Sequence, residues 1–282
     1  MKHCVVMQSD FGIDSGLVAS MHGVCKRVDP TLEIHDLTHL VPPFDITAAS
    51  EYLQYTIPCW PEGTVFVSVV DPGVGTDRRA CVAKTKNGYY IVTPDNGTLT
   101  MVQEFYGIEE VRQIDESRHY YHGAEFVNIF HGRDMFAYCA AKLAAGIITF
   151  EEVGPAYPVE EIVRHKLYPH EVGDGVVRGV AFGTSGNHEN GFGILATNIP
   201  NRAFVETGIS FGQKVHVCLM LDGAVAYEAD MVYHKAFGFV PVGAPILYQE
   251  MNSFLGIALN QGNFCRTYAI QGGSVYDLEI RW

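Results

Sequence analysis

Asp71 has the residue type and the position expected of a ligand-binding carboxylate. It follows residues 63–70, which are mostly apolar and β-branched and carry no charge, as is typical of a strand buried on both faces. A tight Pro-Gly loop, residues 72–75, then leads to Arg78 and Arg79. Ligands of open α/β sheets gather outside the carboxyl ends of the strands, so these charges could hold a polar ligand. The alternative is a plain turn, with Asp71 capping its own loop and the arginines solvated.

Three further side chains, two polar and one aromatic, have two interpretations each. Asp10 ends an apolar run, where a carboxylate could accept hydrogen bonds from both hydroxyls of a ribose or cap the next helix. His131 precedes Arg133 and Asp134; a lone histidine is usually structural, but three polar residues in four are costly to bury without partners. Phe44, beside two prolines, is either an aromatic wall for a ligand or, as its type favours, a core residue.

The elements that must position these residues differ between the two parts of the chain. In the first part, predicted strands alternate with predicted helices at residues 17–28, 46–55, 98–105 and 135–145, which indicates βαβ units. After residue 175 seven short β-patterned segments follow one another. The pattern predicts an α/β N-terminal domain with a central, largely parallel sheet (1–155), a linker (156–174) and a small C-terminal antiparallel β-barrel or sandwich (175–282).

Composition restricts the partners and the compartment. The chain has 282 residues and a net charge of −13, which argues against nucleic acid or an anionic membrane surface as a partner. No apolar run approaches the ~18 residues of a membrane span, and the N-terminus has no secretory signal pattern. The seven cysteines are scattered without a CxxC pair, which indicates reduced thiols in a cytoplasmic protein and neither a disulfide framework nor a zinc site.

Four motifs, taken together in their order, resemble one family. They are Ser-Asp-Phe-Gly (9–12), Val-Asp-Pro-Gly-Val-Gly-Thr (70–76), Pro-Asp-Asn-Gly (94–97) and His-Gly-Arg-Asp (131–134). In this set the sequence is similar to the S-adenosyl-L-methionine (SAM) hydrolases, or SAM hydroxide adenosyltransferases, which are relatives of the bacterial fluorinase and chlorinase. The resemblance extends through Thr-Asn-Ile (197–199) and nearly the whole chain.

The resemblance implies a fold, an assembly and a reaction. The fold is an α/β domain followed by a small β-barrel, and the assembly is a homotrimer with sites between the N-domain of one subunit and the C-domain of the next. The reaction is attack of an activated water or hydroxide at C5′ of SAM, giving adenosine and L-methionine. It implies no cofactor and no metal, with SAM as the substrate.

The resemblance also assigns roles to residues. Asp71, Arg78 and His131 match the set that activates water, although Arg79 stands next to Arg78 and the sequence leaves open which of the two points inward. The residues implied in substrate binding are Asp10 at the ribose, Phe44 as an aromatic wall, Asn96, Glu189 at the ammonium, Phe192, Phe237, Ser253 at the carboxylate, and the backbone of Asn263 and Phe264 at the adenine.

Two sequence differences bear on the alternative functions: one from the halogenases and one from the pattern of the whole family. The halogenases carry Tyr-Pro-Ala-Thr where residues 71–74 of this chain begin with Asp71, and a carboxylate there would repel halide. The family's Asp-x-x-Phe-Gly-Asn is replaced at residues 189–194, where Ile194 lacks the amide that would contact adenine. That change supports a SAM or adenosine sensor without turnover as the alternative to a hydrolase.

Overall fold

The apolar run before Asp71 forms the strand β3 (Val65–Val69) in the computed structural model. This structure describes residues 2–123, 129–182 and 191–282. Glu189 lies outside the described residues. The chain divides into two units, Met1–His165 and Lys166–Trp282.

The first unit is built on a seven-stranded sheet in the order β2-β1-β3-β5-β4-β6-β7. Its other strands are β1 (Val5–Ser9), β2 (Ile34–Thr38), β4 (Ala80–Thr85), β5 (Tyr90–Pro94), β6 (Ile108–Gln113) and β7 (Ala156–Tyr157). Strands β2, β1, β3 and β5 are parallel, whereas β4, β6 and β7 pair antiparallel with their neighbours. Since β1, β3 and β5 end at one edge, the polar residues that follow them, Asp10, Asp71 and Asn96, share that edge.

Helices cover both faces of this sheet. They are α1 (Leu17–Val28), α2 (Ile46–Thr56), α3 (Thr100–Tyr106), α4 (Glu116–His119) and α5 (Tyr138–Ala144), with a π-helical segment at Gly132–Ala137 and short 3₁₀ turns at Ile57–Cys59, Glu151–Val153 and Val159–Glu161. Successive strand residues point to opposite faces. Val65 and Val67 therefore pack in the cluster that includes α1 and α5, whereas Phe66 packs in the cluster that includes α2 and α3. Burial on both faces explains the uninterrupted apolar sequence.

The second unit is a closed barrel of seven strands with one further strand outside it. Its strands are β8 (Glu171–Gly173), β9 (Val176–Phe182), β10 (Leu195–Pro200), β11 (Lys214–Leu221), β12 (Ala224–Tyr233), β13 (Pro245–Gln249), β14 (Phe254–Leu259) and β15 (Val275–Arg281); α6 (Asn201–Val205), α7 (Phe264–Thr267) and a 3₁₀ turn (Phe237–Phe239) connect them. The barrel runs β9-β10-β14-β13-β12-β11-β15 and closes on β9, while β8 pairs with β9. Alternation along β11 buries Val215, Val217 and Leu219 in the barrel core.

The predicted fold class is confirmed in both parts: an α/β unit is followed by a closed β-barrel. Within the barrel all neighbouring strands are antiparallel except β12 and β13. The first unit extends to residue 165, past the predicted end at 155, because β7 pairs with β6 and Val163 N donates to Asp95 Oδ1. None of the helices in the described residues combines the length and the apolar character that a membrane span requires.

Candidate active site

The loop after β3 folds back so that Arg78 reaches Asp71, seven residues before it. Two successive turns achieve this: Val74 N donates to Asp71 O (3.2 Å), and Thr76 N donates to Gly73 O (3.1 Å). Gly75 has a positive φ of 80°, which a side chain would strain. The Thr76 hydroxyl donates to Gly73 O at 2.7 Å and so closes the second turn. The Pro-Gly-Val-Gly-Thr sequence is thus the local cause of the contact.

Asp71 and Arg78 form a buried, bidentate ion pair. Arg78 Nη2 donates to Asp71 Oδ2 at 2.6 Å, and Nε lies 3.1 and 3.0 Å from Oδ1 and Oδ2. The two side chains are 5% and 9% exposed, respectively, and the guanidinium carbon lies 5.4 Å from the centre of the Phe136 ring. Charge-assisted bidentate pairs of this kind add geometric specificity as well as strength. The carboxylate is therefore held in one orientation.

His131 is joined to the same pair. Arg78 Nη2 lies 2.9 Å from His131 Nδ1. Because a guanidinium can only donate, Nδ1 is the acceptor and carries no proton, and in the neutral ring the proton is then on Nε2. The Tyr120 ring meets His131 edge to face at 6.1 Å between centroids. The predicted trio of Asp71, Arg78 and His131 is therefore one hydrogen-bonded group in this structure.

In the His-Gly-Arg-Asp motif, Gly132, Arg133 and Asp134 fix the local structure, and His131 is the residue that joins the ion pair. Arg133 pairs with its buried neighbour Asp134, through Nε to Oδ1 at 2.6 Å and Nη2 to Oδ2 at 2.9 Å. A Cβ on Gly132 would lie 2.9 Å from Cε2 of Phe11, so only glycine allows this close packing. These three residues begin the π-helical segment, a form that is frequent at functional sites. Packing against Phe11 fixes the backbone that carries His131.

Arg79 and Asn96 lie close to Asp71 in the chain or the sheet, but their side chains bond to other residues of the first unit. Arg79 donates to Glu161 Oε2 at 2.7 Å and lies over the Tyr157 ring at 4.4 Å, so its side chain does not contact Asp71. Asn96 Nδ2 donates to Val70 O at 2.8 Å and holds the backbone next to Asp71. The amide of Asn96 is thus bonded to the residue directly after β3, and its role at the substrate stays a prediction.

Asp10 and Phe44 are linked at the same edge of the sheet. Asp10 Oδ2 accepts from Phe44 N at 3.0 Å. Phe44 adopts a positive φ of 66° and is 70% exposed, so it is not a core residue. The ring is thus exposed on a strained backbone, and its role as an aromatic wall for a ligand stays a prediction. Asp45, next to it, caps α2 by accepting from Ala48 N.

The other predicted binding residues belong to the second unit. Phe192 is 80% exposed, and the Phe237 ring packs 4.8 Å from that of Tyr248. Ser253 has a positive φ of 75°, and its carbonyl accepts from Asn201 N at 2.9 Å.

Asn263 and Phe264 begin α7 and are both buried. Asn263 Oδ1 caps the helix by accepting from Arg266 N at 2.7 Å, and Nδ2 donates to Gly191 O at 3.1 Å. The Phe264 side chain is fully buried against Tyr227 and Tyr268. The Phe264 side chain is therefore part of the barrel core, and the contact of its backbone with adenine stays a prediction.

Two aromatic residues next to the ion pair were not predicted. Phe136 lies under the guanidinium of Arg78, and Tyr120 packs on the ring of His131. Burial, aided by the charges of Asp134 and Glu116, raises the pKa of Tyr120, so the phenol stays protonated at neutral pH. No motif marks these residues, since Tyr120 lies in an irregular stretch and Phe136 is one of several apolar residues in a predicted helix.

The first unit thus presents a carboxylate, a guanidinium and an imidazole in one group, beside the carboxyl edge of a parallel sheet. This is the arrangement of an α/β protein that binds a polar small molecule. Family models described as the SAM hydroxide adenosyltransferase N-terminal and C-terminal domains match residues 5–154 and 190–276. The chain belongs to the SAM hydroxide adenosyltransferase family, and the resemblance drawn from its motifs is confirmed.

Relatives in the family carry two different names. A Thermus thermophilus protein named (R)-S-adenosyl-L-methionine hydrolase is 33% identical over 275 residues, covering 95% of this chain and 96% of the relative. A protein named fluorinase from Actinoplanes sp. is 29% identical over 292 residues, covering 95% of each chain. The crystal structure of an uncharacterized conserved protein from Thermotoga maritima covers 99% of this chain and 100% of its own, with a TM-score of 0.87 and 34% identity.

Proposed function

We propose that this protein is a SAM hydrolase that forms adenosine and L-methionine. The observation that carries the proposal is the buried Asp71–Arg78–His131 group, together with 33–41% identity to proteins named (R)-S-adenosyl-L-methionine hydrolase. In the proposed reaction a water oxygen forms a bond to C5′ of SAM. The bond from C5′ to sulfur breaks, and its electron pair leaves on the sulfur as the neutral thioether of methionine.

The proposed roles follow from which atoms donate and which accept. His131 Nδ1 is occupied by Arg78, so its Nε2–H is a donor that can orient the oxygen of the attacking water. The Asp71 carboxylate is the group that can take the proton of that water. Arg78 orients both side chains and favours the developing hydroxide by its charge. A sulfonium leaves as a neutral group, so the reaction requires no general acid, metal or cofactor.

The charge at Asp71 favours water over halide as the nucleophile. The carboxylate is 5% exposed, so a halide placed beside it would be repelled by its negative charge with little screening by solvent. Arg78 neutralises Asp71 but is bound to it through both Nε and Nη2. We therefore expect no 5′-halo-5′-deoxyadenosine, although relatives named fluorinase are among the similar proteins.

The residues that hold the substrate are also proposed. Asp10 would accept from the ribose hydroxyls, with Phe44 as the aromatic wall next to it, supported by the hydrogen bond that links them. In the second unit, exposed Phe192 and Phe237 would contact the ligand and Ser253 its carboxylate. We further propose a homotrimer in which each site combines the first unit of one subunit with the second unit of the next.

The proposed compartment is the cytoplasm. All seven cysteines are free, and four of them are buried. Burial raises the pKa of Cys25 to about 12, so this thiol stays protonated and unreactive. Such thiols suit a reducing compartment. Fractionation of the source cells, with the protein followed by antibody, tests this directly.

Incubation with SAM tests the function. The purified protein is incubated separately with the (S) and (R) sulfonium epimers, because relatives are named for the (R) form. Adenosine and methionine are then quantified by chromatography. Equimolar release from either epimer that depends on Asp71 supports the hydrolase. Tight binding of both epimers without adenosine over hours would leave the sensor as the function.

A further inference from the structure

A histidine-rich cluster lies in the first unit, apart from Asp71 and its partners. His22 Nε2 is 2.7 Å from Asp36 Oδ1, and His39 Nε2 is 3.0 Å from the same oxygen. The three ligand atoms lie within 4.8 Å of one another. Two imidazole nitrogens and one carboxylate oxygen therefore converge on one point.

Regular structure positions each of the three side chains. His22 is on the second turn of α1, and Asp36 is in the middle of β2, paired with Met7 in β1. His39 follows β2 directly and is 3% exposed. Its backbone carbonyl accepts from Gly12 N at 2.8 Å, which ties it to the loop after β1. Sites built on helices and strands hold their geometry better than sites on loops alone.

Ser9 orients the buried histidine. Its Oγ lies 2.7 Å from His39 Nδ1. A hydroxyl can either donate or accept, so it supports both neutral tautomers of the ring. In the tautomer with the proton on Nδ1, the Nδ1–H donates a hydrogen bond to Ser9 Oγ. The lone pair of Nε2 then faces Asp36 and is available to a metal ion. Metal-binding histidines are characteristically held in this way through their second nitrogen.

The ligand atoms of the cluster lie near the spacing of a zinc site, and two of the three side chains are partly exposed to solvent. In a tetrahedral zinc site with bonds of about 2.0–2.1 Å, neighbouring ligand atoms are roughly 3.3 Å apart. The present separations of 2.7 and 3.0 Å to Asp36 Oδ1 need to open by only a fraction of an ångström. The side chains of His22 and Asp36 are 33% and 44% exposed, which leaves one side open for entry and for a water ligand.

We propose that His22, Asp36 and His39 bind a divalent transition-metal cation of the zinc class. Imidazole suits zinc, copper and nickel, whereas magnesium and calcium prefer oxygen ligands alone. The cation would have three protein ligands and at least one water. It would cross-link α1 to the end of β2, and its role would be structural. The proposal does not depend on the reaction at Asp71. The cysteine pattern could not predict it, because no thiol takes part.

The test measures zinc and cobalt binding to four variants of the full chain, prepared without a histidine tag. His22→Gln and Asp36→Asn each remove one ligand from a partly exposed position. His35→Gln is the matched control in β2, since the His35 ring packs on Trp60. His216→Gln is the second control, because His216 pairs with Glu228 and Asp230 at the surface of the barrel unit. Zn²⁺ affinity is measured by calorimetry and Co²⁺ coordination by visible absorption.

We expect one Zn²⁺ per chain and a Co²⁺ spectrum without thiolate charge-transfer bands. Loss of a partner that only orients a ligand costs roughly 10- to 100-fold in affinity, so His22→Gln and Asp36→Asn should weaken binding at least about tenfold. His35→Gln and His216→Gln should bind as the unmodified protein does. Zn²⁺ should also raise the unfolding temperature of the unmodified protein and of both controls, but not of the two ligand variants.

Three results would overturn the proposal. One is the absence of zinc binding to the unmodified protein at neutral pH. Another is equal affinity in His22→Gln, Asp36→Asn and the unmodified protein, which would place the cation elsewhere. The third is loss of binding in His216→Gln or a thiolate band with Co²⁺, since either would identify the surface cluster or a cysteine as the ligand. Circular dichroism of each variant in EDTA shows whether it is folded before metal is added.

Discussion

Replacing Arg78 by alanine should damage both the stability and the chemistry of the protein, whereas the same change at Arg79 should damage neither greatly. The two residues are adjacent, carry the same charge and lie on the same loop. Their surroundings differ. Arg78 is 9% exposed and bonded to Asp71 and His131, whereas Arg79 is 35% exposed and bonded to Glu161 at the surface. The pair is therefore a matched comparison.

The expected magnitudes come from burial. Arg78→Ala leaves the Asp71 carboxylate buried without its partner, which typically costs about 3–5 kcal/mol. At about 2–4 °C per kcal/mol for a unit of this size, the unfolding temperature should fall by roughly 6–20 °C. Arg79→Ala breaks the pair with Glu161, worth about 0–1 kcal/mol, and a contact with Tyr157 worth about 0.5–1 kcal/mol. It also removes a long contact of 3.9 Å to the buried Asp95, whose carboxylate keeps its hydrogen bonds from Val163 N and Tyr157 Oη. Its unfolding temperature should fall by only a few degrees.

The assay combines thermal unfolding with adenosine release at a temperature where both variants are folded. Arg78→Ala should lower turnover by roughly 10²-fold or more, because the carboxylate and the imidazole lose the group that orients both. Arg79→Ala should keep turnover within a few-fold. The double variant Asp71→Asn with Arg78→Met removes both buried charges. It should regain part of the lost stability but none of the turnover, which separates the structural from the catalytic effect.

One outcome would refute this reasoning directly. If Arg79→Ala is inactive while Arg78→Ala is stable and active, then Arg79 is the guanidinium that serves the site and the loop adopts another arrangement in solution. Equal, small effects of the two changes would instead show that neither arginine belongs to the site.

Four further expectations concern other residues. His131→Ala should lower turnover by roughly 10²-fold or more with little change in SAM affinity, because its contact is made mainly with the attacking water. Asp10→Ala should chiefly weaken SAM binding, measured by calorimetry, because hydrogen bonds to the diol act in the ground state as well. Asp71→Ala and Ser253→Ala subunits, unfolded and refolded together, should show more activity than either variant alone if each site combines two subunits. Burial raises the pKa of Glu51 to about 7, so its contribution to stability is lost as pH rises through 7, and Glu51→Gln should stabilise the protein at pH 8 by up to about 2–3 kcal/mol but not at pH 4.

Each of these measurements has an opposing result. Full turnover in His131→Ala would remove the histidine from the water-activating group, and unchanged SAM affinity in Asp10→Ala would remove the carboxylate from the ribose. Light scattering that shows a monomer, or a trimer in which mixing restores nothing, would rule out shared sites. Equal effects of Glu51→Gln at pH 4 and pH 8 in denaturant titrations would show that the carboxyl does not titrate in this range.

Local sequence determined the elements and the ends of the strands. The helix predicted at residues 17–28 is α1 (Leu17–Val28), and the helix predicted at residues 46–55 is α2 (Ile46–Thr56). Both are set by hydrophobic period and turn residues, which are properties of neighbours along the chain. The position of Asp71 at the end of β3 was also readable, because Pro72 and the glycines after it stop a buried strand.

Tertiary structure alone decided which side chains meet. Sequence periodicity does not show which of Arg78 and Arg79 contacts Asp71. The two turns of the loop and the position of His131, 53 residues away from Arg78, determine that it is Arg78. The amide of Asn96 could face a ligand or a neighbouring strand, and only the packing of β3 beside β5 assigns it to Val70 O.

The convergence of His22 with Asp36 was equally invisible, because a helix and a strand 14 residues apart meet only when α1 packs on the sheet. Such contacts depend on closing long loops around a shared core, and nothing in the local sequence encodes which partners that closure brings together.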